Sequence, residues 1–581
     1  MITLREHPGP LDALARSTLE ALARDEAIPR LFRRDAGLWS ADPAAATVIQ
    51  NRLGWLDAPD WARARIGELR AFSEAVRGRG VTRVLLLGMG GSSLAPEVFA
   101  RVLGPAPGAP ILDVLDSTVP SAVRAAEMHV RLDRTFFLVS SKSGRTIETL
   151  SQYRTFRARV EEEGLSDPAG RFAVITDAGS DLDRLAEREG IRHVFRNPVD
   201  IGGRYSALSY FGLLPAALLG VPLEILIGRA ETARAACAEP SPAANGALRL
   251  GAFLGSAARA GRDKMTLVTP TELRPLGYWI EQLVAESTGK TGVGIVPVEG
   301  EPVGSTASYG RDRVFVVITT AREPSTDLAA FSGELRHAGQ PVVEIELGDR
   351  EDLAAAFYTW ETATAVAGAV LEINPFDEPN VQESKDNTGR LLAAFEKEGS
   401  LPEDAPRARE EDVELHASDA LWERLTAGEP PRPSLEVILG RFLALARPAD
   451  YLALLSYVER APIAEAAFVR LRRLVRDALR IAVLHGYGPR YLHSIGQLYK
   501  GGPPTGLFLL FTVAGSGDVP IPGARYGFGR LCSAQALGDL ASLESHGKPA
   551  LRLHLCGDPE AGYATIARAV ERALVARAAR A

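Results

Sequence analysis

Residues 135–149 read TFFLVSSKSGRTIET, an apolar run that breaks into a hydroxyl-rich loop. The first six residues, aromatic and aliphatic, have the composition of a buried strand, and a turn followed by a helix-like run comes after them. The loop gathers the hydroxyls of Ser140, Ser141, Ser143 and Thr146 around Lys142 and Arg145. Hydroxyl donors and a cation at a helix N-terminus suit a phosphomonoester, because the first turn of a helix has N–H groups without intrahelical partners. A capped helix start with exposed polar residues would look the same from this loop alone.

The same strand–turn–helix texture extends in both directions. VTRVLLLG (81–88) and RFAVITD (171–177) flank the first stretch, and a second series runs through KMTLVTP (264–270), RVFVVIT (313–319) and PVVEIEL (341–347). Strands alternating with helical runs predict parallel βαβ units, and hence an α/β fold of two doubly wound parallel-sheet domains in three αβα layers. Strand 81–88 opens into GMGGSS (88–93), where Gly90 and Gly91 let the backbone approach a ligand and Ser92 adds a hydroxyl. That loop alone also fits a tight turn, or a dinucleotide fingerprint with Ser93 in place of the third glycine and Asp116 as ribose acceptor. A nicotinamide-binding domain has no need of the second cradle at 139–149, which favours a sugar phosphate. STGKTG (287–292) is not a P-loop, since that spacing requires glycine where Val284 stands.

The expected organisation is a helical N-terminal segment (1–60), a first α/β domain (61–240), a second (241–400), an acidic, proline-bearing linker (401–433), and a C-terminal helical and α/β segment (434–581). The 73 acidic and 66 basic residues leave a formal charge of −7, which provides no general attraction for nucleic acid. Three scattered cysteines, Cys237, Cys532 and Cys556, without CxxC spacing, fit reduced cytosolic thiols. No apolar run is long enough to span a bilayer and the N-terminus lacks a signal-peptide core, so a cytoplasmic chain without membrane contact is expected. The histidines outside the motif described next show no HxH or HExxH spacing, and no metal site is expected.

Six segments together resemble the phosphoglucose isomerase family, which is built from sugar-isomerase (SIS) domains. GMGGSSLAPEVF is similar to its first glycine-rich segment and SSKSGRTIET to its phosphate loop. On this resemblance Gly90, Gly91, Ser92, Ser141, Lys142, Ser143 and Thr146 bind substrate. IGGRYSALS (201–209) resembles the segment whose arginine, here Arg204, steadies the intermediate. EQLVAESTGK (281–290) resembles the one carrying the catalytic base, here Glu286. INPFDEPNVQESK (373–385) ends in the matching active-site lysine, Lys385, and RYLHSIGQLYKGG (490–502) carries the ring-opening histidine, His493. RLFRRDAGLW (30–39) and NRLGWLD (51–57) further resemble the isomerase half of bacterial transaldolase–isomerase fusions, although no transaldolase domain is read in these residues. In the usual family order the histidine segment lies between the glutamate and lysine segments, whereas here it follows both. The resemblance implies a permuted element, with cis or trans supply of His493 open. It also implies a homodimer, and a separate transaldolase as a candidate partner docking on 434–581, which could equally be a lid or a dimer arm.

The implied reaction interconverts glucose 6-phosphate and fructose 6-phosphate through a cis-enediolate, as in glycolysis and gluconeogenesis. It opens a sugar ring and moves a proton between C2 and C1, so it requires no cofactor. Glu286, near a predicted helix end, would shuttle the proton. Arg204 would stabilise the developing oxyanion. His493 and Lys385 would assist at the ring oxygen and the C1 hydroxyl. Mannose 6-phosphate is a further candidate substrate. A non-catalytic sugar-phosphate sensor is the alternative, but a sensor needs no base at C2.

Overall fold

The computed structural model describes residues 2–402, 405–429, 433–515 and 517–579. Its architecture is α/β, as expected, and among the described residues it has three sheets rather than two. The first sheet is wholly parallel, in the order Ile111–Leu115, Arg83–Gly88, Thr135–Ser140, Phe172–Asp177, His193–Asn197. The chain enters at Arg83–Gly88, places its second strand on one side and its third on the other. The switch point therefore falls between Gly88 and Ser140, which pair in register. Both candidate phosphate loops leave the sheet at this crevice.

The second sheet runs Thr3–His7, Val342–Leu347, Arg313–Thr320, Lys264–Val268, Val296–Val298. Its first strand is antiparallel, with Thr3 opposite Glu346, so the segment 1–60 is not purely helical. The charged sequence TLREH conceals this short edge strand, whose pairing partner lies more than 330 residues away. Helices of the N-terminal segment share one apolar core with both sheets. There Trp55 stacks on Tyr205 with ring centroids 5.3 Å apart, and Tyr205 directly follows Arg204.

The third sheet lies in the expected C-terminal helical and α/β segment and extends it. Four parallel strands, Ala550–Leu555, Gly506–Val513, Tyr451–Tyr457 and Ala482–Tyr487, form a further doubly wound unit. Strands at 451–457 and 482–487 escaped the sequence reading because short apolar runs look alike in buried strands and buried helices. The stretch expected to be a linker supplies a hairpin, Ala408–Glu410 and Val413–His416, that pairs antiparallel with Ala550–Leu555. Its acidic composition belongs to an edge hairpin that buries Val413 and Leu415. Residues 403–404 and 430–432 of that stretch lie outside the described residues.

A separate apolar cluster joins the third sheet to the second. Tyr451, Leu455 and Leu484 of the third sheet meet Ala285, Val296 and Val298 through Tyr491, Ile495, Leu498 and Tyr499. The segment around His493 is thus held by core packing on both sides.

Candidate active site

Glu286 lies in the last turn of helix Arg274–Thr288, which ends at Gly289 as the sequence led us to expect. Its Oε2 accepts a hydrogen bond from Gln282 Nε2 (3.2 Å), one turn earlier on the same helix. Its Oε1 is 3.4 Å from Arg204 Nη1. Burial pushes the carboxyl above its ordinary value, and the Arg204 guanidinium only partly offsets this. A carboxylate raised toward neutrality is the kind that can both take and return a carbon-bound proton.

Arg204 follows Gly203 in a short 3₁₀ turn and is itself buried. Nε donates to Ser287 Oγ (2.8 Å), Nη1 to Glu378 Oε2 (3.0 Å), and Nη2 to the carbonyls of Pro375 (2.8 Å) and Asp377 (2.9 Å). The guanidinium therefore braces loop 373–380 and faces Glu286 at the same time. Lys290 braces that loop from the other side, donating to the Asn374 and Asp377 carbonyls and to Asp377 Oδ1. Burial lowers its ammonium pKa to about 8.

His493 reaches the same region from the third unit of the same chain. Gln282 Nε2 donates to the His493 carbonyl (2.8 Å) as well as to Glu286, so one amide spans base and histidine segment. Gly90, with φ of +54°, packs so closely that a Cβ there would stand 2.6 Å from the His493 carbonyl oxygen. Gly91 is as tightly placed against Gly203, where a Cβ would meet its carbonyl at 2.1 Å. Both glycines thus serve as contact surfaces for the arginine and histidine segments. Ser92 is buried beside them.

The His493 imidazole meets a carboxylate that the sequence reading did not single out. Nε2 is 2.8 Å from Glu148 Oε1, which also accepts from Gln535 Nε2 (2.7 Å), and Gln535 Oε1 accepts from Thr118 Oγ1 (2.6 Å). Burial works against the Glu148 charge, but the charge and hydrogen bond of His493, helped by Lys385, hold its carboxyl below the usual value. Glu148 was legible in principle, as the first-turn acid directly after the phosphate loop. Thr146, Glu148, Lys385 and His493 line one cavity of about 230 Å³ together with Gln535 and Ser384. Lys385 sits on helix Val381–Glu398 with its side chain exposed at the rim.

The phosphate loop is bound to itself. Ser141 Oγ lies 3.0 Å from Thr146 Oγ1 and accepts from the Gly144 amide (3.1 Å), and Ser143 Oγ accepts from the Arg145 amide (3.2 Å). No side chain caps helix Ile147–Glu162, because the Thr146 hydroxyl turns to Ser141. That arrangement suits an anion at the helix start. Lys142 points elsewhere, donating to Asp177 Oδ2 (2.5 Å) and the Val199 carbonyl (3.1 Å). Arg204 and Glu286 do not line the 230 Å³ cavity and connect to it through Gln282.

Comparison with known proteins shows the family. The profile of the family described as phosphoglucose isomerase matches residues 63–299. A probable glucose-6-phosphate isomerase of Natronomonas pharaonis is 32% identical over 358 residues, 55% of this chain and 82% of the relative. The glucose-6-phosphate isomerase of Symbiobacterium thermophilum is 30% identical over 389 residues, 58% of this chain and 86% of the relative. The chain belongs to the phosphoglucose isomerase family. A crystal structure of a hypothetical protein from Thermus thermophilus shares the fold, with a TM-score of 0.57 at 24% identity, over 67% of this chain and all of that one.

The matched region of the phosphoglucose isomerase profile holds both loops, Arg204 and Glu286, and stops short of Lys385 and His493. For those two the argument is geometric. Gln497, four residues after His493, ties the remaining motifs together: its Nε2 donates to the Gly289 carbonyl (3.0 Å) and Asn380 Oδ1 (2.8 Å), while its Oε1 accepts from the Asn380 amide (2.8 Å). Glutamate helix, lysine helix and histidine segment therefore meet at one side chain.

Proposed function

We propose that the groups gathered here divide the phosphoglucose isomerase reaction among themselves. The chain interconverts glucose 6-phosphate and fructose 6-phosphate. Ser141, Ser143, Thr146 and the uncapped helix start hold the phosphate. Lys142 is assigned to positioning this loop through Asp177. His493, oriented by Glu148, opens the ring with Lys385 assisting, and Gly90, Gly91 and Ser92 shape the floor. Glu286 then carries the proton between C2 and C1 while Arg204 stabilises the enediolate oxygen.

The observation that carries this reading is the Gln282 amide shared between Glu286 and the His493 carbonyl. It supports the reading because it links Glu286 and the His493 segment within one chain. On this reading His493 is supplied in cis. Among the described residues no helix is long and apolar enough to cross a membrane. The free thiols, two of them buried, fit the cytoplasmic setting in which we place the reaction.

The test is conversion of fructose 6-phosphate to glucose 6-phosphate by purified protein, beside His493→Ala. Activity with a large loss in the variant supports both reaction and role. An active wild type with an unimpaired variant removes His493 from the mechanism. A folded, inactive wild type that binds sugar phosphate returns the reading to a sensor. Cis supply is checked by specific activity that stays constant as the protein is diluted.

A further inference from the structure

Two pairs of side chains, each spaced i, i+2, meet on one face of the third sheet. Glu414 and His416 lie on strand Val413–His416, while His554 is the penultimate residue of strand Ala550–Leu555 and Cys556 follows that strand. The register sets Glu414 opposite His554, and the Cys556 amide continues the pairing by donating to the Asp412 carbonyl (2.8 Å). Alternate residues of a strand share a face, so these four project from the same side. One ligand atom from each of Glu414, His554 and Cys556 lies within 4.8 Å of the other two. His416 Nε2 stands 3.8 Å from Glu414 Oε2. From the next strand Thr512 Oγ1 lies 2.9 Å from His554 Nδ1 and orients that ring. All three clustered side chains are half-buried and His416 is buried. Two cations stand nearby: Arg409, more than half exposed, meets Glu414 Oε1 at 3.4 Å, and the buried Arg552 lies opposite His416 in the register.

We propose that Glu414, His554 and Cys556, with His416 beside them, form a binding site for a thiophilic divalent cation, zinc being the best match. A mixed set of imidazole, thiolate and carboxylate suits zinc, whereas magnesium and calcium select oxygen-only sites. Zinc–ligand lengths of about 2.0–2.3 Å put tetrahedral ligand atoms roughly 3.3–3.8 Å apart, so the side chains need to close by at most about 1.5 Å. Thr512 plays the part that outer hydrogen bonds take in fixing a metal-bound ring. The bound ion ties the Ala408–His416 hairpin to the rest of the third sheet. Sequence spacing conceals such a site, because its two halves, ExH and HxC, stand 138 residues apart and each is the ordinary period of a strand.

The experiment uses the full chain, stripped with a chelator and titrated with Zn²⁺ alone by calorimetry and with Co²⁺ alone by absorption. One equivalent of zinc bound, a raised Tm, and a thiolate-to-cobalt charge-transfer band are expected. Cys556→Ser should abolish the band, and Cys556→Ser and Glu414→Gln should each weaken zinc binding about tenfold or more. Isomerase activity, which uses none of these residues, should persist in both variants and verifies their fold. In the wild type, zinc should also protect Cys556 from alkylation, a measurement that needs no variant. Absence of stoichiometric zinc binding, binding unchanged in both variants, or a thiol that zinc leaves unprotected would each overturn the proposal.

Discussion

Replacing Glu148 by glutamine separates ring opening from proton transfer. In the native chain Glu148 Oε1 accepts from both His493 Nε2 (2.8 Å) and Gln535 Nε2 (2.7 Å). Glutamine keeps the volume and one acceptor but removes the charge that orients and stabilises the imidazole. A hydrogen bond to a charged group is worth about 1.5–3 kcal/mol, which corresponds to a loss of about 10- to 150-fold in a step that depends on it. The loss should fall on kcat/KM for cyclic glucose 6-phosphate. A four-carbon aldose phosphate, whose phosphate blocks ring closure, bypasses His493 and should react within a few-fold of wild type. Stability gives a second readout. The Glu148 carboxyl is held below its unfolded value, so its contribution is present above the ordinary glutamate range and disappears as pH falls through the folded pKa. The gap in Tm between wild type and variant should therefore close on acidification. Equal losses on cyclic and acyclic substrates would refute the reasoning and make Glu148 a packing residue for Gln535 and Thr118.

Other outcomes follow from the same geometry. Glu286→Gln should lower kcat by about 10²–10⁴ on both substrate types, measured by turnover, with sugar-phosphate binding retained by calorimetry. In the wild type the acid limb of the pH–rate profile should lie above the usual glutamate range, because burial raises Glu286 and the base must be ionised to act. Arg204→Gln removes the cation that opposes this shift, so that limb should move to still higher pH. It also leaves Glu286 and Glu378 without their guanidinium, at a cost of about 3–5 kcal/mol in denaturant unfolding. Gly289→Ala places a Cβ 2.4 Å from Leu498 Cα, so it should destabilise by about 1–3 kcal/mol and reduce activity on cyclic substrate more than on acyclic.

The three inner strands of each of the first two sheets were readable because they are apolar runs punctuated by loops of distinctive composition, whereas Ile111–Leu115, His193–Asn197 and Val296–Val298 were not read. The helix carrying Glu286 was readable because Gly289 ends it. What escaped depends on distant partners. The edge strand Thr3–His7 and the hairpin Ala408–His416 are charged segments that become strands only beside Val342–Leu347 and Ala550–Leu555. Lys142 read as a phosphate cation, yet Asp177, at the end of the neighbouring strand, holds it. Arg204 read as an oxyanion stabiliser also braces a loop, since Nη2 bonds the Pro375 and Asp377 carbonyls while Nη1 faces Glu286. Gln282, Gln497 and Glu148 lie inside the quoted segments but drew no role from the sequence, since their importance lies in spanning segments that only the fold brings together.

If His493 opens the ring as proposed, the third unit is part of the catalytic machinery and not an appendage. His493 has no fixed position unless Tyr491, Ile495, Leu498 and Tyr499 are packed between Ala285, Val296 and Val298 on one side and the third sheet on the other. The same segment reaches Glu286 through Gln282, and both Gly289 and Asn380 through Gln497. A loosened third unit would therefore disturb ring opening first, because His493 leaves with it. Glu286 and Arg204 belong to the larger core and would stay with the first two sheets. The ratio of cyclic to acyclic turnover thus reports on docking of the third unit, and mild denaturant should lower that ratio before it lowers acyclic turnover. A ratio that stays constant until global unfolding would mean that the three sheets open as one cooperative body.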